Sequence, residues 1–251
     1  MKLKFIGCEV FVRSVCQECA TSDNNITPEF TRKGEHEKVD KMRETVQKAI
    51  DDADKGDYEA IVLGYGLCGN GLDGIKAGRL PLVIPRAHDC CTIFTGSRKK
   101  FLEYFSDKFS AMWSSAGYME RGDEYFRESD ANKMLGLDMT YEQAVESYGE
   151  ENAEFIIESL KPKHEMNEII YIKTGDPKDE EFLKIVELKA KEENKELTIV
   201  EGNMGIIKKL LRGQWDEDFL TVLPGQKIKA VYDHEKVIEA VCDHEKVIEA
   251  V

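Results

Sequence analysis

Two short apolar runs, 58–66 (YEAIVLGYG) and 80–89 (LPLVIPRAHD), constrain the fold of this chain most. Their apolar parts, AIVLGYG in the first and LPLVIP in the second, are typical of strands that are buried on both faces of a parallel sheet. A strand-like segment at 2–12 and a helical pattern over 34–56 precede them, and a loop and helix at 90–109 follow. The order βαβαβα predicts an α/β fold, with helices on the faces of a parallel sheet.

The rest of the chain extends this pattern with one interruption. Residues 69–78, between the two runs, are predicted to be a turn that leads into a short helix. Later strands are expected at 168–176, 196–203 and 218–228, and later helices at 179–195 and 205–213. Between positions 106 and 164 no strand-like run occurs, and charged helical segments mix with aromatic residues.

We therefore predict an N-terminal α/β half at 1–105, a helical insert at 106–164 and a C-terminal α/β half at 165–251. The two halves are either Rossmann-like units or parts of one sheet. The end of the chain contains the repeat DHEKVIEAV, at 233–241 and again at 243–251. Its ten-residue period matches no solenoid unit, so we interpret it as a local duplication that extends a terminal helix.

Charge and hydropathy limit the classes of partner. The chain has 251 residues, with 49 Asp and Glu against 35 Lys and Arg, and a formal net charge of −14. Such a surface repels phosphate backbones, so we expect no nucleic-acid partner. No apolar run has the length that a bilayer requires, and the N-terminus lacks the features of a signal peptide. A cytoplasmic protein without a membrane partner is expected, and a homo-oligomer is left open.

Three of the seven cysteines follow predicted strands. Cys8 lies near the end of the first strand, Cys68 follows the second and Cys90 follows the third. Because the carboxyl ends of parallel strands meet at one edge of a sheet, these thiols are expected to converge there. A cytoplasmic chain seldom keeps disulfides, which favours metal binding or thiol chemistry. The alternative is that each cysteine is simply a small buried residue.

Three thiolates favour a metal centre with one open position. Thiolates select zinc or iron–sulfur clusters, and three of them leave one coordination position open on zinc or on one iron. We favour an iron–sulfur cluster and rank zinc second. The residues expected to let the backbone approach such a cofactor are Gly66, Gly69, Asn70 and Gly71. The spacing of Gly64, Gly66 and Gly69 imitates a dinucleotide fingerprint only weakly, because the acidic residue of that motif is missing.

Two further residues are candidates for catalysis. Arg86, just before the expected crevice, could hold a carboxylate or phosphate. His88 could transfer a proton, or it could activate Cys68 or Cys90 as a nucleophile. The pair Cys16-x-x-Cys19 is either a redox pair, half of a zinc site or part of a helix face.

The segments GCEV, LGYGLCGNGL, PLVIPRAHDCCTIFTGS and LLRGQWDEDFLTVLPG resemble an uncharacterised family of anaerobic bacteria and archaea, known only as a domain of unknown function. The resemblance implies a role in anaerobic one-carbon metabolism, near corrinoid-dependent methyltransferases. It also implies that the family's cysteines correspond to Cys8, Cys68 and Cys90.

The combined hypothesis is a cysteine-ligated metal centre that acts on a small anionic or thiol substrate. Two alternatives remain open. The first is an accessory protein that binds or delivers a metal or a corrinoid to a methyltransferase system, or a zinc-thiolate methyl-transfer protein. The second is a binding domain without a cofactor, in which the cysteines are incidental.

Overall fold

A computed structural model describes residues 1–33, 39–105, 111–121, 126–128, 140–150, 152–154, 157, 167–231 and 236–243. The strands within these residues are β1 (Lys2–Cys8), β2 (Asn25–Thr31), β3 (Ala60–Gly64), β4 (Leu82–Pro85), β5 (Met112–Ser115), β6 (Arg127–Glu128), β7 (Glu168–Lys173), β8 (Glu196–Glu201), β9 (Phe219–Val222), β10 (Gln226–Ala230) and β11 (Ile238–Cys242). The helices are α1 (Val12–Thr21), α2 (Val39–Ala53), α3 (Cys90–Thr95), α4 (Arg98–Phe105), α5 (Ala116–Met119), α6 (Tyr141–Tyr148), α7 (Asp179–Glu192) and α8 (Gly205–Arg212). The predicted α/β class is confirmed.

The larger sheet has five strands in the order β2-β1-β3-β4-β9. The first four are parallel, and β9 runs antiparallel to β4. Successive side chains alternate between two apolar cores, so that Phe5 and Val62 face one core while Ile6 and Ile61 face the other. Both faces of the sheet are thus covered, which is why β3 and β4 are continuous apolar runs rather than alternating ones.

Helices cover the two faces of this sheet unequally. Side chains of α1, α3, α4 and α8 pack on one face. The other face packs against α2 and the antiparallel hairpin of β10 and β11. None of the helices within the described residues is long and apolar enough to cross a membrane.

A second sheet has the order β6-β5-β7-β8. In it β5, β7 and β8 are parallel, and β6 is antiparallel to β5. Its inner side chains, among them Trp113, Ile170 and Val200, join the same core as Phe5 of the first sheet. The outer face packs on α7 through Tyr171. The two sheets therefore share one core, which also contains side chains of α1, α3, α4 and α8.

Several predicted elements differ from the structure. Residues 69–74 form turns and Lys76 pairs with Lys227, so the predicted short helix over 69–78 is absent; the backbone φ is positive at Gly69, Asn70 and Gly74. Such left-handed residues interrupt a right-handed helix. The strand predicted over 218–228 is two strands, β9 and β10, which a turn containing Pro224 and Gly225 separates.

The duplicated tail also differs from its prediction. The first copy of the repeat does not extend a helix; part of it forms β11, paired with β10. Ile238, the first residue of β11, is fully buried against the first sheet, and burial of this β-branched residue favours a strand. Most of the second copy, 244–251, lies outside the described residues, as do His234 and His244.

The segment 106–164 contributes two strands, β5 and β6, to the second sheet, although no strand was predicted there. β5 is only four residues long, and its sequence, MWSS, shows no alternation that would identify it. Much of the predicted helical insert, including 106–110 and 129–139, lies outside the described residues. The domain boundaries proposed from the sequence stay predictions, although β9 of the C-terminal segment pairs with β4 of the N-terminal one.

Candidate functional site

One cavity at the carboxyl edge of the larger sheet is lined by Cys8, Cys68 and Cys90. Cys8 is the last residue of β1, Cys68 lies four residues beyond β3, and Cys90 is the first residue of α3 after β4. Since β1, β3 and β4 are neighbouring parallel strands, their ends meet at this edge. The cavity is small: its interior volume is about 20 Å³, and the recess together with its open mouth has about 400 Å³.

The three thiols differ in exposure. Cys68 and Cys90 are buried, with 7% and 6% of their surfaces accessible, whereas Cys8 is half-buried. Val10, Phe11 and other apolar side chains complete much of the wall around them. The site is therefore a largely apolar recess with soft sulfur groups on its surface.

Backbone hydrogen bonds hold Cys68 in place. The N–H of Leu67 donates to the carbonyl of Ala87 at 2.8 Å, and the N–H of Cys68 donates to the carbonyl of His88 at 2.9 Å. Cys68 has a φ of +48°, and Asn70 has a φ of +67°. Left-handed backbone at residues other than glycine costs about 1 kcal/mol each, and such strain clusters at functional sites.

Gly66 allows the loops after β3 and β4 to touch. A Cβ atom at Gly66 would lie 2.5 Å from the Cα atom of Asp89, so only glycine fits at this distance. The Asp89 side chain in turn accepts a hydrogen bond from the N–H of Thr92 and caps α3. Gly66 and the Asp89 cap together position Cys90 beside Cys68.

The other residues predicted to approach a cofactor make different contacts. A Cβ atom at Gly71 would lie 2.7 Å from the sulfur of Met42, so Gly71 makes room for a side chain that lines the cavity. The carbonyl of Asn70 accepts a hydrogen bond from Arg43. Gly69 has a φ of +64°, and a Cβ atom added there would meet no other atom within 4 Å. Of these predicted residues, Gly66 lines the cavity.

Two cations after β2 line the same cavity, and sequence reasoning missed both. Arg32 is exposed, whereas Lys33 is buried, with 5% of its surface accessible. The Lys33 ammonium lies 4.2 Å from the centre of the Tyr118 ring and donates a hydrogen bond to the Tyr118 carbonyl at 3.4 Å. Among the described residues that line the cavity, none is acidic.

Tyr65 is a further residue of the site that the sequence did not single out. Its phenol lines the cavity and shares a hydrogen bond of 2.7 Å with the hydroxyl of Thr31 at the end of β2. The side chain is almost fully buried. A phenol in this position is a group that can hold or deliver a proton.

Arg86 and His88 lie near the cavity but are not among the described residues that line it. The Arg86 guanidinium donates hydrogen bonds to the carbonyls of Lys236 and Ile238 and so fastens β11 to the first sheet. Burial lowers the pKa of Arg86, and the nearby Arg98 lowers it further. His88 is buried with its ring 5.9 Å from that of Phe101. Their catalytic roles stay predictions.

The remaining cysteines lie elsewhere. Cys16 and Cys19 are on α1, where Cys16 is exposed and Cys19 is half-buried. Burial raises the pKa of the Cys19 thiol, and Cys16 raises it further. Cys91 is in the apolar core, and Cys242 is exposed at the end of β11. All seven cysteines are in the described part of the chain and are thiols rather than disulfides.

No group of three or more His, Cys, Asp or Glu residues within the described ranges has the arrangement that would hold a metal ion. Cys8, Cys68 and Cys90 share the cavity wall, as their positions after strands predicted. Binding of a metal by these three residues stays a prediction.

Comparison with known protein families gives a match over most of the chain. Residues 30–211 match a protein family, DUF1638, that is described as a protein of unknown function. No curated protein and no solved structure matches this chain. The matched region contains Cys68, Cys90 and both cations of the cavity, and Cys8 precedes it.

Proposed function

This chain belongs to the DUF1638 family, whose function is unknown, and we propose that it is a cysteine-ligated metal-centre protein. Cys8, Cys68 and Cys90 are the proposed ligands, and an iron–sulfur cluster is the favoured group. One observation carries the proposal: thiols from the ends of three neighbouring strands line a single cavity. A shared ligand would explain why three thiols that are far apart in the sequence line one recess.

The chemistry of the donor set fits such a cluster. Thiolates are the soft ligands that iron–sulfur clusters and zinc take, and a cluster with several thiolates carries net negative charge. Arg32 and Lys33 offer positive charge in the same cavity. A single zinc ion needs each sulfur about 2.3 Å from one point, whereas a cluster binds each sulfur through a different iron and requires less convergence.

Three ligands leave one coordination position open, and a metal with an open position acts as a Lewis acid on a bound substrate. The protein's own residues supply the rest of the site. Val10 and Phe11 give the cavity an apolar wall, and apolar surroundings strengthen electrostatic interactions inside it. Tyr65 is the candidate for holding a proton within the cavity. His88 stays a second candidate for proton transfer, and Arg86 for substrate binding.

The finer parts of the hypothesis are also proposals; the metabolic setting and the methyltransferase partner rest on the family resemblance, and the location and the two halves rest on sequence patterns. They comprise anaerobic one-carbon metabolism, a corrinoid methyltransferase system as partner, a cytoplasmic location, and two Rossmann-like halves separated by a helical insert. Zinc remains the second choice of metal.

Metal analysis of the anaerobically purified protein tests the proposal. We expect iron and acid-labile sulfide in similar amounts, together with a broad visible absorption, either as purified or after reconstitution with ferrous iron and sulfide. A colourless protein with a single zinc ion would favour the second choice. A protein that binds neither metal after reconstitution, while folded by circular dichroism, would contradict the proposal.

A further inference from the structure

Lys33 is held at the cavity by contacts with two other segments of the chain. Its backbone N–H donates to the carboxylate of Glu9 at 2.8 Å, which ties the turn after β2 to the turn after β1. Its ammonium lies over the Tyr118 ring and donates to the Tyr118 carbonyl. A lysine side chain ordinarily extends into water, so a lysine that is 5% accessible beside a cavity is unusual.

The charge in the cavity is opposite to the charge of the whole protein. The chain has a formal net charge of −14. Within the cavity, the charged side chains among the described residues are those of Arg32 and Lys33, and both are cations. A recess of one charge sign with apolar walls concentrates ligands of the opposite charge.

We infer that the cavity binds a small carboxylate and that Lys33, assisted by Arg32 at the mouth, recognises the carboxylate group. This inference deepens the proposed function, because it names the substrate class and the residues that select it. Arg32 is exposed and Lys33 is buried, so the two cations lie at different depths of the same cavity. The small space beside the thiols suits a compound of a few non-hydrogen atoms.

Alkylation of the cavity thiols with two reagents of nearly equal shape tests this selection without any metal. Iodoacetate carries a carboxylate, and iodoacetamide is neutral. In both reactions a thiolate sulfur attacks the CH₂ carbon, a C–S bond forms and iodide leaves with the electron pair of the C–I bond. Because both reagents attack the same thiolate, the ratio of their rates cancels the thiolate fraction and reports the preference for the anion.

The rates are measured by mass spectrometry on the full-length, metal-free protein, separately for each cysteine. We expect Lys33→Gln to lower the iodoacetate-to-iodoacetamide ratio at the cavity thiols about threefold or more, with a smaller decrease for Arg32→Gln. Lys33→Arg should keep most of the ratio. Cys16, which is exposed on α1, is the internal control and should not change. Lys99→Gln, which removes an exposed cation elsewhere, is the matched control variant.

An equal ratio in wild-type protein and Lys33→Gln would overturn the inference. So would a failure of both reagents to label any cavity thiol while Cys16 is fully labelled, because the cavity would then not admit a two-carbon anion. Metal analysis is independent of these rates. A protein that binds a cluster without anion preference refutes only this inference, and one that prefers the anion without binding metal refutes only the metal centre.

Discussion

Gly66→Ala is the substitution whose effect the structure defines most sharply. The added Cβ atom would lie 2.5 Å from the Cα atom and 2.6 Å from the nitrogen of Asp89, and both are backbone atoms that no side-chain rotation can move. The loops after β3 and β4 must therefore separate. Separation breaks two backbone hydrogen bonds, from Leu67 to Ala87 and from Cys68 to His88.

Each lost hydrogen bond costs about 1 kcal/mol, and overpacking adds a cost of similar size. We expect Gly66→Ala to lower the free energy of unfolding by about 2–3 kcal/mol in urea titrations, with a lower melting temperature. Gly69→Ala is the matched control, because its Cβ would meet no atom within 4 Å and only its positive φ is unfavourable. That control should lose about 1 kcal/mol.

The comparison also separates stability from site geometry. Cys68 and Cys90 move apart in Gly66→Ala, so the variant should bind less iron than Gly69→Ala under conditions in which both are folded. A free energy of unfolding for Gly66→Ala within about 0.5 kcal/mol of the wild-type value would refute the close contact with Asp89.

Two further predictions concern residues outside the cavity. Arg86→Gln should loosen β11, because the guanidinium donates hydrogen bonds to the carbonyls of Lys236 and Ile238. Amide hydrogen exchange in β10 and β11 should become faster, while the metal content stays unchanged. A loss of metal with normal exchange would instead place Arg86 in the site. Burial raises the pKa of Asp179, so the folded protein keeps the proton of this carboxyl group to a higher pH than the unfolded chain does. The free energy of unfolding therefore falls as the pH rises from the ordinary Asp pKa of about 3.9 through the higher pKa of the folded protein. Asp179→Asn should remove that dependence, and an unchanged slope in urea unfolding at several pH values would contradict it.

The shared edge of Cys8, Cys68 and Cys90 could be predicted from sequence because it depends on local signals. The runs that form β3 and β4 are apolar throughout, and the order of elements implies parallel pairing. A cysteine that follows a parallel strand then lies at the carboxyl edge of the sheet. No side-chain contact had to be known in advance.

The cations of the cavity could not be predicted in the same way. They follow β2, an edge strand whose sequence, NITPEFT, is polar and mostly exposed and contains Pro28. Proline argues against a central strand and is tolerated at an edge, so this segment lacks the signal of a buried strand. Without β2, nothing in the sequence brings Lys33 near Cys8.

Arg86 illustrates the opposite case, in which the sequence suggested a role from a local position and the structure adds a distant contact that the sequence did not predict. It follows β4 directly, where sheet edges bind ligands. Its partners are about 150 residues away in sequence, in a tail that the pattern predicted to be helical. Long-range hydrogen bonds of this kind carry no signature in a single sequence.

The central claim is that Cys8, Cys68 and Cys90 hold one metal centre together. Iron and sulfide per chain should be measured after anaerobic reconstitution of three single variants, Cys8→Ser, Cys68→Ser and Cys90→Ser, beside Cys16→Ser and Cys242→Ser as matched controls. We predict that each of the three cavity variants loses most of its iron and sulfide while both controls keep the wild-type amounts. Equal iron and sulfide in all five variants would contradict the account.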